Sequence, residues 1–260
     1  LNIQVKINNL FSDNSSGSTE LLLKVMDILE LFTSEADENN FITLVENNLA
    51  TFGIIQNFIN KYKSVRFISP ESKRNYIFQE KEKLKHATGD LFDAALPFLS
   101  DKNKIFTLSN SGTVLSILAK LHKRNERLTV TVSESRPQNE GRILAEKLAS
   151  LGISVNLITE AQAAGFIRDT DCVLLGTDKI LANGDVINKT GSLNTAILSK
   201  YFNKPLFILG SRSKMSTQFI YTEESHPVDE IYSPRSDLII IKNNYFEIIP
   251  AYLISKLILN

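Results

Sequence analysis

The chain has 260 residues, 43% of them hydrophobic, with 29 basic side chains against 29 acidic ones. That composition can bury a sizeable core and excludes a disordered chain, and the length suits one large domain or a helical domain followed by an α/β domain. Balanced charge and a pI near 7.0 argue against a strongly basic nucleic-acid face or a polybasic membrane anchor, so no direct nucleic-acid partner is expected.

No apolar run is long enough to span a membrane, and the first residues, Leu1-Asn2-Ile3-Gln4-Val5-Lys6, lack the apolar core of a signal peptide. A cytoplasmic protein is the expectation. Residues 18–96 read as helices. Leu21, Leu22, Val25, Met26, Ile28, Leu29 and Phe32 recur at helical spacing behind Ser18 and Thr19, which suit N-caps. Phe41, Leu44, Val45, Leu49, Phe52, Ile55, Phe58 and Ile59 form a second helical stretch. A third, rich in Lys and Glu, runs from Glu71 towards Leu96, where Pro97 should discourage its continuation.

From about residue 104 the pattern changes to short apolar strands alternating with helices: strands at 105–108, 128–132, 154–158, 172–176 and 206–209, helices at 113–123, 161–167 and 191–202. Pro137 suits a first helical turn, ahead of a stripe of Ile143, Leu144, Leu148 and Leu151. The chain's single cysteine, Cys172, lies in an apolar strand and reads as a small core hydrophobe. Alternation of this kind implies βαβ units. The expected fold is α/β, a Rossmann-like parallel sheet with helices on both faces over residues 101–260, preceded by a helical N-terminal domain over residues 1–100.

Ligands of open parallel sheets bind beyond the carboxyl ends of the strands. This rule selects the segments after Leu108, Val132, Gly176 and Leu209. After the first strand, Ser109-Asn110-Ser111-Gly112 forms a strand-to-helix turn whose free N–H groups favour an anion; helix capping by Ser109 or Ser111 is the alternative. After the second comes Ser133-Glu134-Ser135-Arg136-Pro137, where Arg136 could close around a phosphate or pair with Glu134. Asp178, in Gly176-Thr177-Asp178, emerges at a strand's carboxyl end, either as a general acid/base or as a turn cap. Asn183-Gly184 between short apolar pairs signals a hairpin that returns the chain to Asn188-Lys189-Thr190-Gly191. The histidines, His86, His122 and His226, are scattered, and with one cysteine they form no zinc pattern. Neither a Walker A segment nor a Gly-x-Gly-x-x-Gly after the first strand occurs, so no ATPase or nicotinamide chemistry and no cofactor is expected.

Together, Ser133-Glu134-Ser135-Arg136-Pro137, Gly176-Thr177-Asp178, the run from Asn183-Gly184-Asp185 to Asn188-Lys189-Thr190-Gly191, Asn203-Lys204-Pro205 and Asn244-Tyr245-Phe246-Glu247 resemble the superfamily of the regulatory subunits of translation initiation factor 2B, methylthioribose-1-phosphate isomerase and ribose-1,5-bisphosphate isomerase. Ser15-Ser16-Gly17-Ser18 is similar to a segment of the factor's α subunit. The resemblance implies a phosphorylated-sugar or nucleotide-phosphate ligand and a homodimer through the α/β domain. It implies an aldose–ketose isomerase whose catalytic aspartate is Asp178, with Arg136, Asn188 and Lys189 at the ligand, joined by Asn110, Ser111 and Gly112 from the first turn. Where the isomerases carry a catalytic cysteine, this chain has Ser109. A hydroxyl is a far weaker acid than a thiol and needs an adjacent base, so a non-catalytic regulatory subunit or ligand sensor is the alternative function.

Overall fold

A computed structural model describes residues 2–13, 15–66, 69–222 and 225–260. Five helices come first: α1 (Ile3–Phe11), α2 (Ser18–Leu29), α3 (Glu35–Asn48), α4 (Gly53–Val65) and α5 (Pro70–Leu99). Asn2, Ser34 and Ser69 cap α1, α3 and α5 through their side chains, supplying acceptors for N–H groups that have no partner inside the helix. The apolar faces meet in one cluster that includes Val25, Met26, Phe41, Ile55 and Tyr62.

Three expectations for this region change. Gly17, not Ser18 or Thr19, holds the N-cap position of α2. The stripe from Phe41 to Ile59 belongs to two helices, because the chain leaves the helix after Asn48 and re-enters at Gly53. There the Gly53 N–H donates to the Asp178 carbonyl at 2.9 Å. A Cβ on Gly53 would lie 2.6 Å from the Lys214 carbonyl, so this close approach demands glycine. Finally, α5 continues through Pro97 to Leu99. Proline forfeits one intrahelical bond there, while Ala95 and Leu99 stay buried against the sheet. Burying one leucine contributes about 1.5–3 kcal/mol, which offsets part of a cost of about 3 kcal/mol or more. The same helix places Tyr76 and Ile77 in the helical cluster and Leu91, Phe92, Ala95 and Leu99 in the sheet's core.

The α/β region follows with β1 (Lys104–Leu108), α6 (Gly112–His122), β2 (Thr129–Ser133), α7 (Glu140–Ser150), β3 (Ser154–Ile158), α8 (Ala163–Arg168) and β4 (Cys172–Leu175). After β5 (Lys179–Ile180) and β6 (Val186–Lys189) come α9 (Ser192–Tyr201), β7 (Leu206–Gly210), β8 (Phe246–Ile249) and β9 (Lys256–Leu259). Six strands form a sheet in the order β3-β2-β1-β4-β7-β9, and every pairing in it is parallel. Period-two alternation sends Ile105, Cys172 and Leu174 to one core and Phe106, Leu108, Val173 and Leu175 to the other, as a sheet covered on both faces requires. Burial pushes the Cys172 thiol up to about 12, which suits a core hydrophobe.

The chain runs outward from β1 to β3, then returns to build β4 on the other side of β1. The reversal opens a crevice at the carboxyl ends of β1 and β4. The Asn183-Gly184 hairpin forms as expected: β5 and β6 pair antiparallel, Gly184 has φ +87°, and its N–H donates to the Leu181 carbonyl. Strand β8 joins them, and β9 extends the main sheet; neither was expected from the sequence.

The helix start expected at Pro137 moves to Glu140, after Asn139 in the left-handed region. Close packing explains this: a Cβ on Gly141 would lie 1.9 Å from the Ser133 carbonyl, so the turn must finish before the helix can begin. Of the expected stripe on α7, Leu144 and Leu148 are buried, whereas Ile143 and Leu151 are exposed.

Candidate functional site

A cavity of about 480 Å³ opens at the crevice, between the carboxyl end of the sheet and the helical region. Three of the four segments chosen by the strand-end rule contribute to it: residues 109–112 after β1, Thr177 and Asp178 after β4, and Ser211 and Lys214 after β7. Of the segment after β2, residues 133–137, none lines the cavity, and Glu140 further along does so instead. From the helical side come the turn between α1 and α2 and the start of α4.

Seven of the eight residues singled out in the sequence share this cavity: Ser109, Asn110, Ser111, Gly112, Asp178, Asn188 and Lys189. Arg136 does not. It is exposed and absent from the lining, and Glu134, its alternative partner, instead accepts from Arg142 at 2.5 Å.

The first turns of α2 and α6 both face the cavity. They lie side by side, since a Cβ on Gly17 would be 3.7 Å from the Asn110 carbonyl and 3.8 Å from the Gly112 nitrogen. Asn110 fastens this junction by donating to the Ser15 carbonyl at 3.0 Å. Asp13 braces the same turn through the N–H groups of Ser15 and Ser16 and an ion pair with Lys24. Two adjacent helix starts, with positive dipole ends and free N–H groups, make an anion cradle. Ser111 caps α6 by accepting from the Val114 N–H at 3.3 Å, and Gly176 admits it, because a Cβ there would sit 2.6 Å from its hydroxyl.

Asp178 lies deep in the molecule yet keeps surface open to the cavity. Burial raises its pKa, opposed by the Lys214 charge, a hydrogen bond from Ser18 and, least, the Lys189 charge. Burial wins. Lys214 does not fully compensate: desolvation lowers its own pKa against the pull of Asp178, and its ammonium donates to the Thr177 carbonyl at 2.5 Å.

Across the cavity stands a second carboxyl that the sequence reading missed. Glu140, 4% exposed, pairs with Lys189 at 2.7 Å and accepts from the Ser109 hydroxyl at 3.4 Å. The Lys189 ammonium also lies 4.3 Å from the Tyr245 ring centroid, a cation–π arrangement. Tyr245 donates to Glu230 and accepts from Gln138 at 2.6 Å; burial, reinforced by Glu230, raises its pKa. Asn188 donates to the Ser192 hydroxyl at 2.9 Å. Ser109 itself has φ +64°, and its N–H is held by the Ser135 hydroxyl at 2.7 Å. A non-glycine residue in that region stores strain of the kind that gathers at functional sites.

A signal for Lys214 existed in the rule pointing beyond Leu209, and one for Ser18 in the Ser15-Ser16-Gly17-Ser18 segment. Glu140 offered only its place in a helix's first turn, where an acidic residue is ordinary. Among the described residues no metal-ligand cluster occurs, and no helix is long and apolar enough to cross a membrane.

Ribose 1,5-bisphosphate isomerase of Archaeoglobus fulgidus is 34% identical over 125 residues, 48% of this chain and 40% of that protein. Methylthioribose-1-phosphate isomerase of Schizosaccharomyces pombe is 30% identical over 203 residues, 66% of this chain and 56% of that protein. The matches thus span about half the length of these curated relatives. A crystal structure of translation initiation factor eIF-2B from Pyrococcus horikoshii OT3 superimposes with a TM-score of 0.81 at 21% identity, covering 98% of this chain and 94% of that one, and so shares the fold. A sequence profile of the Initiation factor 2 subunit family matches residues 43–260, and the chain belongs to that family.

Proposed function

We propose that the cavity binds a phosphorylated sugar and that the chain converts a phosphorylated pentose from aldose to ketose. Asp178 carries the reading: a carboxyl whose pKa burial raises, open to a cavity where an anion cradle lies close by, is suited to take and return a carbon-bound proton. The starts of α2 and α6 hold the phosphate through Gly112 and neighbouring N–H groups, with Lys189 adding charge. Asn110, Ser111 and Asn188 meet the sugar hydroxyls, and Ser109 works at the reacting oxygens. Arg136, outside the lining, is given no part. Names of relatives, ribose 1,5-bisphosphate isomerase and methylthioribose-1-phosphate isomerase, support this substrate class. No cofactor is needed. Exposed Phe219, Ile220, Leu238 and Ile240 on the α/β region support pairing of two copies through it, in the cytoplasm.

A second reading, a regulatory subunit that senses the same ligand or a nucleotide phosphate, is favoured by Ser109 standing where the isomerases have cysteine. One assay separates the two. Ribose 1,5-bisphosphate and methylthioribose 1-phosphate are incubated separately with the protein and followed by NMR, with Asp178→Asn in parallel. Conversion that falls by about 10²–10⁴ in the variant is the expected result. Saturable binding without conversion removes the isomerase reading and leaves the sensor.

A further inference from the structure

We infer that Glu140 is the proton partner of Ser109, and that the two side chains together supply what a thiol supplies alone; the inference rests on the isomerase reading above. A serine hydroxyl is too weak an acid to exchange protons unaided near neutral pH, so any such role needs a base within reach. The fold puts one there. Ser109 Oγ donates to Glu140 Oε1 at 3.4 Å. That is longer than the usual O–H···O distance of about 2.7–2.8 Å, and catalytic hydrogen bonds commonly tighten around substrate.

Three further observations point the same way. Glu140 Oε2 is buried and has no hydrogen-bond partner among the described residues, although leaving such an oxygen unsatisfied costs about 1–3 kcal/mol or more. A carboxylate serving only as counter-ion to Lys189 gains nothing from that cost, whereas one whose Oε1 takes the Ser109 proton keeps Oε2 free to receive the Lys189 ammonium in its place. Lys189 binds the same Oε1 at 2.7 Å, which fixes the carboxylate towards Ser109. The Ser109 backbone, at φ +64° and anchored through its N–H to Ser135, holds the hydroxyl between Glu140 and the cavity.

The relay acts when an enol of the sugar collapses to the ketose. The enol O–H bond at C2 breaks as its proton passes to Ser109 Oγ, and the Ser109 proton passes to Glu140 Oε1. The electron pair left on oxygen forms the C2 carbonyl, and the former C=C pair takes a proton from the Asp178 carboxyl at C1. In the opening step the Asp178 carboxylate takes the C2 proton, and the C–H electron pair forms the C1–C2 double bond. The bond from C1 to the ring oxygen breaks, and that oxygen takes a proton from water. After the collapse Glu140 returns its gained proton to water, so Asp178, Ser109 and Glu140 each end as they began. Glu140 acts through Ser109 and is therefore a positioning and proton-accepting residue, while Asp178 and Ser109 meet the substrate.

The test compares wild type, Glu140→Gln, Ser109→Cys and the double variant, with kcat for the two sugar phosphates and Kd for each. Glu140→Gln is expected to lower kcat by about 10² or more while Kd changes little. A thiol needs no such partner, so in the Ser109→Cys background the same change should cost roughly tenfold or less. Glu140→Asp, which keeps the charge opposite Lys189 but withdraws the carboxylate from Ser109, should show the same rescue by Ser109→Cys, and it decides the matter if Glu140→Gln does not fold. An undiminished kcat in the Glu140 variants, or an equal loss in both backgrounds, overturns the relay and leaves the isomerase standing. Binding without turnover in wild type overturns relay and isomerase together, and absence of binding removes the ligand site itself.

Discussion

Asp178 and Glu140 line the same cavity, both largely enclosed, yet their charges are met in different ways. Glu140 has a lysine in direct contact, at 2.7 Å. Asp178 has two lysines nearby, but one, Lys214, is bonded to the Thr177 carbonyl and the other belongs to Glu140. Desolvation therefore outweighs attraction at Asp178, and its pKa rises. Proximity of opposite charge alone does not set the state of the Asp178 carboxyl; how far both partners are desolvated matters as much. Three substitutions sharpen that contrast.

Lys189→Met should have the largest effect. It strips the ammonium from a carboxylate that is almost wholly buried, and breaking a buried pair from one side costs about 3–5 kcal/mol. Adding Glu140→Gln should recover most of the loss, because the uncompensated charge is gone. Denaturant unfolding of the single and double variants checks this; a double variant no more stable than Lys189→Met would show that the lysine matters through packing on Tyr245 and not through Glu140.

Gly53→Ala tests the other side. Its Cβ would press to 2.6 Å on the Lys214 carbonyl, next to the bond from Gly53 N–H to the Asp178 carbonyl. Overpacking of this kind costs roughly 1–3 kcal/mol, and it should loosen the helical region's hold on the Asp178 segment. Thermal unfolding together with sugar-phosphate affinity reads both effects; an unchanged protein would mean the backbone at this contact yields easily.

How far the sequence discloses this arrangement depends on how local each signal is. The parallel sheet was legible because its strands are short apolar runs separated by helical stripes, and Asp178 and Asn188 because strand ends and an Asn-Gly hairpin locate them. Glu140 was hidden by a turn that no periodicity marks: the left-handed Asn139 and the contact between Gly141 and the Ser133 carbonyl delay the helix and aim the carboxylate inward. Arg136 shows the reverse case, a residue whose motif suggested the ligand while the fold leaves it exposed. The break between α3 and α4 was equally unreadable, because its cause is a contact with Asp178 and Lys214, more than a hundred residues away in sequence. Strand β9 failed for want of its partner: its identity as an edge strand rests on pairing with β7.

The smallest effect belongs to Asp178→Asn, and its sign discriminates most. The folded protein holds the Asp178 proton above the ordinary carboxylate value of 3.8, so within the window between that value and the raised one the native state binds more protons than the unfolded chain. Stability from this group is therefore present at low pH and declines as pH rises through the window. An asparagine has no proton to lose. The variant should match wild type in melting temperature near pH 4 and exceed it increasingly towards neutrality, even as its turnover collapses, the pattern expected when a strained site is retained for function. A melting temperature for Asp178→Asn below wild type at pH 7 would mean that Lys214 and Ser18 stabilise the carboxylate after all, and that the two carboxyls are more alike than the geometry implies.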